Sequence, residues 1–218
     1  MNTKRPIVTV VAGPNGAGKT SLQSLLRQAH LVNCNIVNID ALAIDLDTVP
    51  TDPFRYPVEI AKRTDRKFRE LCEQAIQKGM DFAFECNLRE EQVKYLSLFD
   101  DANYEINLIF FWLNDIQISY DRVAQRVSKG GHFVGKYSIE RNFYEGLKNL
   151  DEYFDNWNNI SVIDNSMDIQ QLNEQDQLPL ILYIQNGKVL YVSNKIPQST
   201  LNSNFPTIWK AYNKDAPQ

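Results

Sequence analysis

Apolar positions along this chain fall into two periods that alternate from one end to the other. Pro6-Ile7-Val8-Thr9-Val10-Val11-Ala12 is a β-branched run and predicts a buried strand. Leu22, Leu25 and Leu26 return at helical spacing, so a helix is expected to open at about Gly18. Asn35 to Asp40 predicts a second short strand that closes on a carboxylate. Leu46 to Pro57 holds three prolines and predicts a loop. A long helix follows from near Val58, with Phe68, Leu71, Cys72, Ala75 and Ile76 on one buried stripe and Gly79 as its left-handed stop. Asp81 to Glu85 predicts a third strand, again closing on a carboxylate. Asn87 and Glu90 form an N-x-x-E box before a helix that turns Val93, Leu96 and Phe99 inward. Tyr104 to Leu113 is the most apolar stretch and predicts a central strand. Helices are then expected from Asp115 to Gly130-Gly131, and from about Ser138 through Phe154. Asn159 to Asp164 predicts the fifth strand.

The polar segment Met167 to Gln177 breaks this alternation. Two apolar runs, Leu180 to Gln185 and Lys188 to Ser193, flank Asn186-Gly187, a type I′ hairpin signal. A short amphipathic piece around Ile208, Trp209 and Tyr212 closes the chain.

The junction of the first strand and helix carries the chemistry. Gly13-Pro14-Asn15-Gly16-Ala17-Gly18-Lys19-Thr20 has the G-x-x-x-x-G-K-[ST] spacing of a P-loop, in the strand–loop–helix setting that the motif requires. Glycines let successive backbone N–H groups curve around a phosphate, and the helix start adds partial positive charge. These residues, with Ser21, are the expected nucleotide site. Lys19 would reach the β- and γ-phosphates, and Thr20 would ligate Mg²⁺. With strand and helix alternating up to residue 166, the expected fold is α/β. It is a P-loop NTPase-like three-layer fold with a mostly parallel five-stranded sheet, plus a C-terminal hairpin and short helix. Residues 1–166 would form the main domain, and 167–218 an appendage packed on it.

Composition narrows this little. Of 218 residues, 43% are hydrophobic and 23% charged, ordinary for a globular chain. A net charge of −4 gives no reason to expect general nucleic-acid binding. No apolar run approaches the roughly 20 residues that span a bilayer, so no membrane is expected. Cys34, Cys72 and Cys86 are odd in number and widely spaced, which argues for core fillers in a reducing cytoplasm rather than disulfides or zinc.

Outside the loop, pattern alone leaves choices open. Asp40 would lie beside the phosphate loop, or serve as a turn or cap residue. Glu85 would meet substrate hydroxyls or a metal-bound water, or pair with Arg89. No Walker B aspartate is evident, since Asn114 and Asp115 suit a helix N-cap. Between residues 121 and 141, Arg122, Arg126, Lys129, Lys136 and Arg141 face only Asp121 and Glu140. Such an excess at a glycine-hinged joint suggests a lid over phosphates, against the plainer reading of a solvated corner. His132 reads as a hydrogen-bonding loop residue.

Together, Ala12 to Thr20, Asn38-Ile39-Asp40, Phe84-Glu85, Arg126-Val127 with Gly130-Gly131-His132, Ile139 with Arg141, and Asp164-Asn165-Ser166 resemble the zeta-toxin-like family of P-loop small-molecule kinases, in its shorter branch. The resemblance runs from about Pro6 to Ser166. It implies an ATP- and Mg²⁺-dependent phosphotransferase acting on a small-molecule hydroxyl, in the family UDP-N-acetylglucosamine, and an antitoxin partner. It also implies roles. Asp40 would be the general base and Glu85 would position the acceptor. Lys19, Arg126 and Arg141 would clamp the transferring phosphate, and Asn165 would lie at the adenine end. Should the second strand end elsewhere, Asp45 or Asp47 would stand in for Asp40. The chain departs from the family where Cys86 and Asn87 replace the usual threonines, and where Gly135 stands in place of a proline. Another acceptor (a sugar, nucleoside or antibiotic) and a nucleotide switch that transfers nothing are the competing readings.

Overall fold

Eight consecutive residues, Glu105–Trp112, form the central strand β4, numbered here with its neighbours β1 (Ile7–Ala12), β2 (Ile36–Asn38), β3 (Phe82–Glu85), β5 (Asn159–Asp164), β6 (Leu180–Gln185) and β7 (Lys188–Val192). The structure is a computed structural model that describes residues 5–45, 56–167 and 178–215. Part of the predicted loop at 46–57, and Asp47 within it, lie outside the described residues, as does most of the polar segment 167–177.

The strands make one sheet in the order β2-β3-β1-β4-β5-β6-β7. The first four pairings are parallel and the last two antiparallel. The parallel part holds the five predicted strands. The sheet itself has seven, because the C-terminal hairpin joins it at β5. Left unpaired, β5 would expose a row of backbone donors and acceptors at the sheet edge. The hairpin turn has the expected geometry, with φ of 47° at Asn186 and 72° at Gly187.

Register puts Val8, Val10 and Ala12 on one face beside Ile106, Leu108 and Phe110, then Ile160 and Val162, all nearly inaccessible. Helix α3 (Tyr56–Lys78) lays Phe68 on this face, its ring 5.1 Å from Phe84 and 6.1 Å from Phe82. The predicted stripe is real, with Phe68, Cys72 and Ala75 buried. Gly79, at φ 59°, ends the helix as Met80 N donates to Ala75 O and Gly79 N to Ile76 O. On the opposite face Thr9, Asn107, Ser161 and Tyr183 line a polar groove of about 400 Å³. Asn159 there donates to Glu105 and Asn107 at 3.0 and 2.8 Å, so these sheet amides satisfy one another.

Several expected elements differ. The second strand stops at Asn38, whose side chain accepts from Ala41 N at 3.0 Å, and Ile39–Asp45 becomes helix α2. Numbering the rest in chain order, α1 is Gln23–Gln28, and the helix predicted after Asn87 is two short ones, α4 (Glu90–Val93) and α5 (Leu96–Asp101). Next come α6 (Ile116–Ser128), which Asp115 caps by accepting from Gln117 N, and α7 (Lys136–Glu152). The tail adds α8 (Gln198–Asn204) and α9 (Pro206–Asp215), where one short helix was predicted. Buried Asp151 of α7 accepts from the backbone N–H groups of Thr207 and Ile208, which caps α9 from a distant part of the chain.

Gly146 is where α7 touches the strand ends. A Cβ there would stand 2.8 Å from the Asn87 carbonyl oxygen. Gly146→Ala is therefore expected to destabilise the fold by about 1–3 kcal/mol, the usual range for overpacking. Urea unfolding checks this, and an unchanged midpoint would show that α7 can shift freely.

Candidate functional site

Each P-loop glycine has a steric reason. Gly13, at φ 142°, would bring a Cβ within 2.4 Å of Phe111 O, and Gly18, at φ 84°, within 2.4 Å of Asn165 Nδ2. The loop is folded back tightly enough to bury Lys19, which remains 8% exposed. Its ammonium donates to Gly13 O at 2.7 Å, Pro14 O at 3.1 Å and Asn87 Oδ1 at 3.1 Å. Burial lowers the Lys19 pKa below its ordinary 10.5, while the Glu85 and Asp40 carboxylates oppose that shift and Arg126 adds to it. Asp40, Glu85 and Arg126 thus each lie within electrostatic reach of Lys19. Thr20 Oγ1 lies 2.9 Å from both oxygens of buried Glu85, which also accepts from Gln23 Nε2 at 3.2 Å. Ser21 is exposed in the turn that leads into α1.

Asp40, expected to close the second strand, lies instead in the first turn of α2, two residues past the observed strand end at Asn38. It still reaches the loop, because Asn87 Nδ2 donates to Asp40 Oδ2 at 3.3 Å. The N-x-x-E reading of Asn87 does not hold. Its side chain points to Lys19 and Asp40, and Gln92 Oε1 takes up the backbone N–H groups of Asn87 and Arg89. Nor does Glu85 pair with Arg89, which lies 3.4 Å from Glu91.

The cation-rich segment packs against the loop through residues other than those expected to clamp phosphate. Arg122 donates to Gly16 O at 3.2 Å, Asn165 O at 2.8 Å and Ser166 O at 3.2 Å. Ser119 donates to Asn15 O, and Asn142 Nδ2 to Asn15 Oδ1 at 2.7 Å. Asn165 Nδ2 donates to Ala17 O at 2.7 Å, so this expected adenine-side residue is a brace of the P-loop. Arg126 donates to His132 O at 3.0 Å, across a turn where a Cβ on Gly131 would collide with the Arg126 side chain. Arg141 is paired with Glu145 at 2.7 Å and Glu91 at 3.6 Å. The hydrogen bond to Glu145 raises its pKa. Asn142 and Ser119 had no motif to mark them, since amides and hydroxyls are common everywhere, and the N-x-x-E pattern marked Asn87 for a different role. Arg122 had the one clue of lying four residues before Arg126.

Comparison with known proteins settles the lineage. Residues 1–177 match the family model described as Zeta toxin. The chain belongs to the zeta toxin family. An uncharacterised protein of Haemophilus influenzae is 24% identical over 125 residues, covering 57% of this chain and 83% of that one. Among solved structures, one of the PezAT chromosomal toxin–antitoxin system of Streptococcus pneumoniae superposes on the whole of this zeta toxin family chain and 82% of its own, with a TM-score of 0.58 at 16% identity. The AvrRxo1-ORF1:-ORF2 complex with ATP gives 0.62 at 16% identity, over 95% of this chain and 65% of that one. At these identities the structures speak for the fold, which is P-loop kinase-like. No described helix is long and apolar enough to cross a membrane.

A lysine whose pKa is lowered by burial makes stability depend on pH in a definite direction. Between the lowered value and 10.5 the unfolded chain holds a proton that the folded chain has lost, so stability rises with pH through that window. Lys19→Met is expected to weaken Mg·ATP binding by roughly 10–100-fold in calorimetry, the loss of a charge-assisted contact. It should melt at or above the wild-type temperature at pH 7, with the difference narrowing toward pH 10.5. A variant that melts well below wild type at pH 7 would show that its hydrogen bonds outweigh its burial.

Proposed function

We propose that this zeta toxin family protein is an ATP- and Mg²⁺-dependent phosphotransferase that acts on a hydroxyl of a small molecule, with UDP-sugars such as UDP-N-acetylglucosamine as the acceptor class to test first. The observation that carries the reading is the buried Lys19 ammonium of the P-loop, bonded to Asn87, whose amide also bonds Asp40. A nucleotide switch needs the loop and the lysine. An exposed carboxylate such as Asp40 beside them suits the proton of an acceptor hydroxyl.

Mg²⁺ fits the donor set. The Thr20 hydroxyl and the Glu85 carboxylate, 2.9 Å apart, are hard oxygen donors. Mg²⁺ is ordinarily bound in this sparse way, through one or two side chains plus phosphates and water. When bound, it neutralises charge on the phosphates. The chain supplies the rest. P-loop N–H groups and Lys19 orient the γ-phosphoryl group, and Arg126, whose charge is felt at Lys19, stabilises charge that develops on it. Asp40 accepts the hydroxyl proton as the acceptor oxygen bonds to phosphorus and the bond to the ADP oxygen breaks. Glu85, through Thr20 and Gln23, fixes the floor between phosphate and acceptor. Arg141 joins the clamp by exchanging its carboxylate partners for a phosphate. The protein partner is proposed to be an antitoxin, by analogy with the PezAT toxin–antitoxin system, and the setting a reducing cytoplasm, in keeping with three free cysteines.

Transfer from labelled ATP to UDP-sugars, simple sugars and nucleosides tests the reading. Asp40→Asn is expected to bind Mg·ATP normally while transfer falls about 10²–10⁴-fold, the range for losing a general base. Arg126→Ala should lower turnover more than Arg141→Ala, since Arg126 lies within electrostatic reach of Lys19. Transfer at the wild-type rate in Asp40→Asn would move the base elsewhere. ATP binding with no transfer to any acceptor would favour the switch.

A further inference from the structure

Asn87 lies between the phosphate lysine and the proposed base, and its surroundings fix it there. The side chain is 2% exposed. Its Oδ1 accepts from Lys19 Nζ at 3.1 Å, and its Nδ2 donates to Asp40 Oδ2 at 3.3 Å. A residue placed between a cation and an anion must accept on one side and donate on the other. A planar amide does both from a single rigid group, whereas a carboxylate only accepts and a leucine does neither.

The backbone around it is built to hold that orientation. Asn87 N donates to Gln92 Oε1 at 3.2 Å, and Asn149 Nδ2 of α7 donates to the next carbonyl, Leu88 O, at 2.7 Å. Leu88 itself is buried at φ 59°, in the left-handed region where a leucine is rarely found. Such strain costs on the order of 1–3 kcal/mol and persists only where the surroundings over-determine it. Gly146 completes the clamp, since any side chain there would strike Asn87 O. Asp40, by contrast, is exposed in the first turn of a seven-residue helix. Its hydrogen bond from Asn87 is what ties it to the loop among the described residues.

We infer that Asn87 is a positioning residue that joins Lys19 and Asp40 into one hydrogen-bonded chain, so that the grip on the phosphate and the placement of the base share a single geometry. The inference rests on the assignment of Asp40 as base. Asn87 touches no reacting atom in this scheme. It acts by fixing the distance between two groups that do, and an error of about 1 Å in such a distance can lower a rate about 10²-fold.

Three variants test it. Asn87→Asp keeps the acceptor for Lys19 but sets a carboxylate against Asp40. It should hold Mg·ATP affinity within about threefold, less than one ordinary hydrogen bond is worth, while transfer at saturating ATP falls about 10²-fold. The double variant Asp40→Asn/Asn87→Asp should transfer no more slowly than Asp40→Asn alone, because the positioning residue has nothing left to position. Wild-type transfer in Asn87→Asp, or losses that multiply in the double variant, would overturn the proposal. A spectroscopic arm needs no acceptor. In ¹⁵N-labelled protein without nucleotide, the Asn87 side-chain amide signal, assigned by its loss in Asn87→Asp, should shift in Asp40→Asn. An unmoved signal overturns the coupling. A shifted signal in a protein that phosphorylates no acceptor supports the coupling and overturns only the phosphotransferase reading.

Discussion

One buried ammonium sets the terms for the rest of this structure. Taking a lysine out of water is costly unless its donors are met and opposite charge is close. Lys19 meets that requirement from three separate parts of the chain: P-loop carbonyls before it, the Asn87 amide beyond β3, and the carboxylates of Glu85 and Asp40. The strand order explains how these come together. With β3 hydrogen-bonded between β1 and β2, the residues that follow three strands converge on the same end of the sheet, where ligands of open α/β sheets bind. A different neighbour for β1 would leave the lysine without its partners.

The cation-rich segment meets a related constraint in a different way. Helices α6 and α7 do not hover over the loop; Ser119, Arg122 and Asn142 are bonded directly to Asn15 and Gly16. Only the ends of the long cations beyond these ties have a choice of partner. Arg126 spans the glycine turn to His132 O, and Arg141 lies in half-exposed pairs with Glu91 and Glu145. Exposed pairs of that kind are worth little. A doubly charged phosphate offers a guanidinium more than a solvated carboxylate does.

The C-terminal residues contribute by closing edges. The hairpin pairs β6 with β5 and extends the sheet, and α9 takes its N-terminal cap from Asp151 on α7. The same α7 abuts Asn87 through Gly146. The tail and the site are therefore braced by the C-terminal half of one helix.

Local rules were enough for much of this. The P-loop, the five parallel strands, the Gly79 stop, the Asp115 cap and the Asn186-Gly187 hairpin each depend on a few neighbouring residues whose backbone preferences or periodicity are written in order along the chain. Family membership was legible too, because several short motifs recur in a set order. What the sequence left open were contacts between residues far apart in it. One miss was local: the Asn38 side chain, three residues before Ala41, caps a helix that ends β2 and takes in Asp40. Asn87 read as a cap because N-x-x-E is a local pattern, whereas its true partners lie 47 and 68 positions away. Arg122 and Arg141 were alike as cations, and packing sent Arg122 to a P-loop carbonyl 106 positions away, whereas Arg141 meets Glu145 one helical turn on. Propensity and period act over a turn or a pleat. The direction of a polar side chain is decided by whichever donor or acceptor the folded chain brings within about 3 Å, and that is a property of tertiary structure alone.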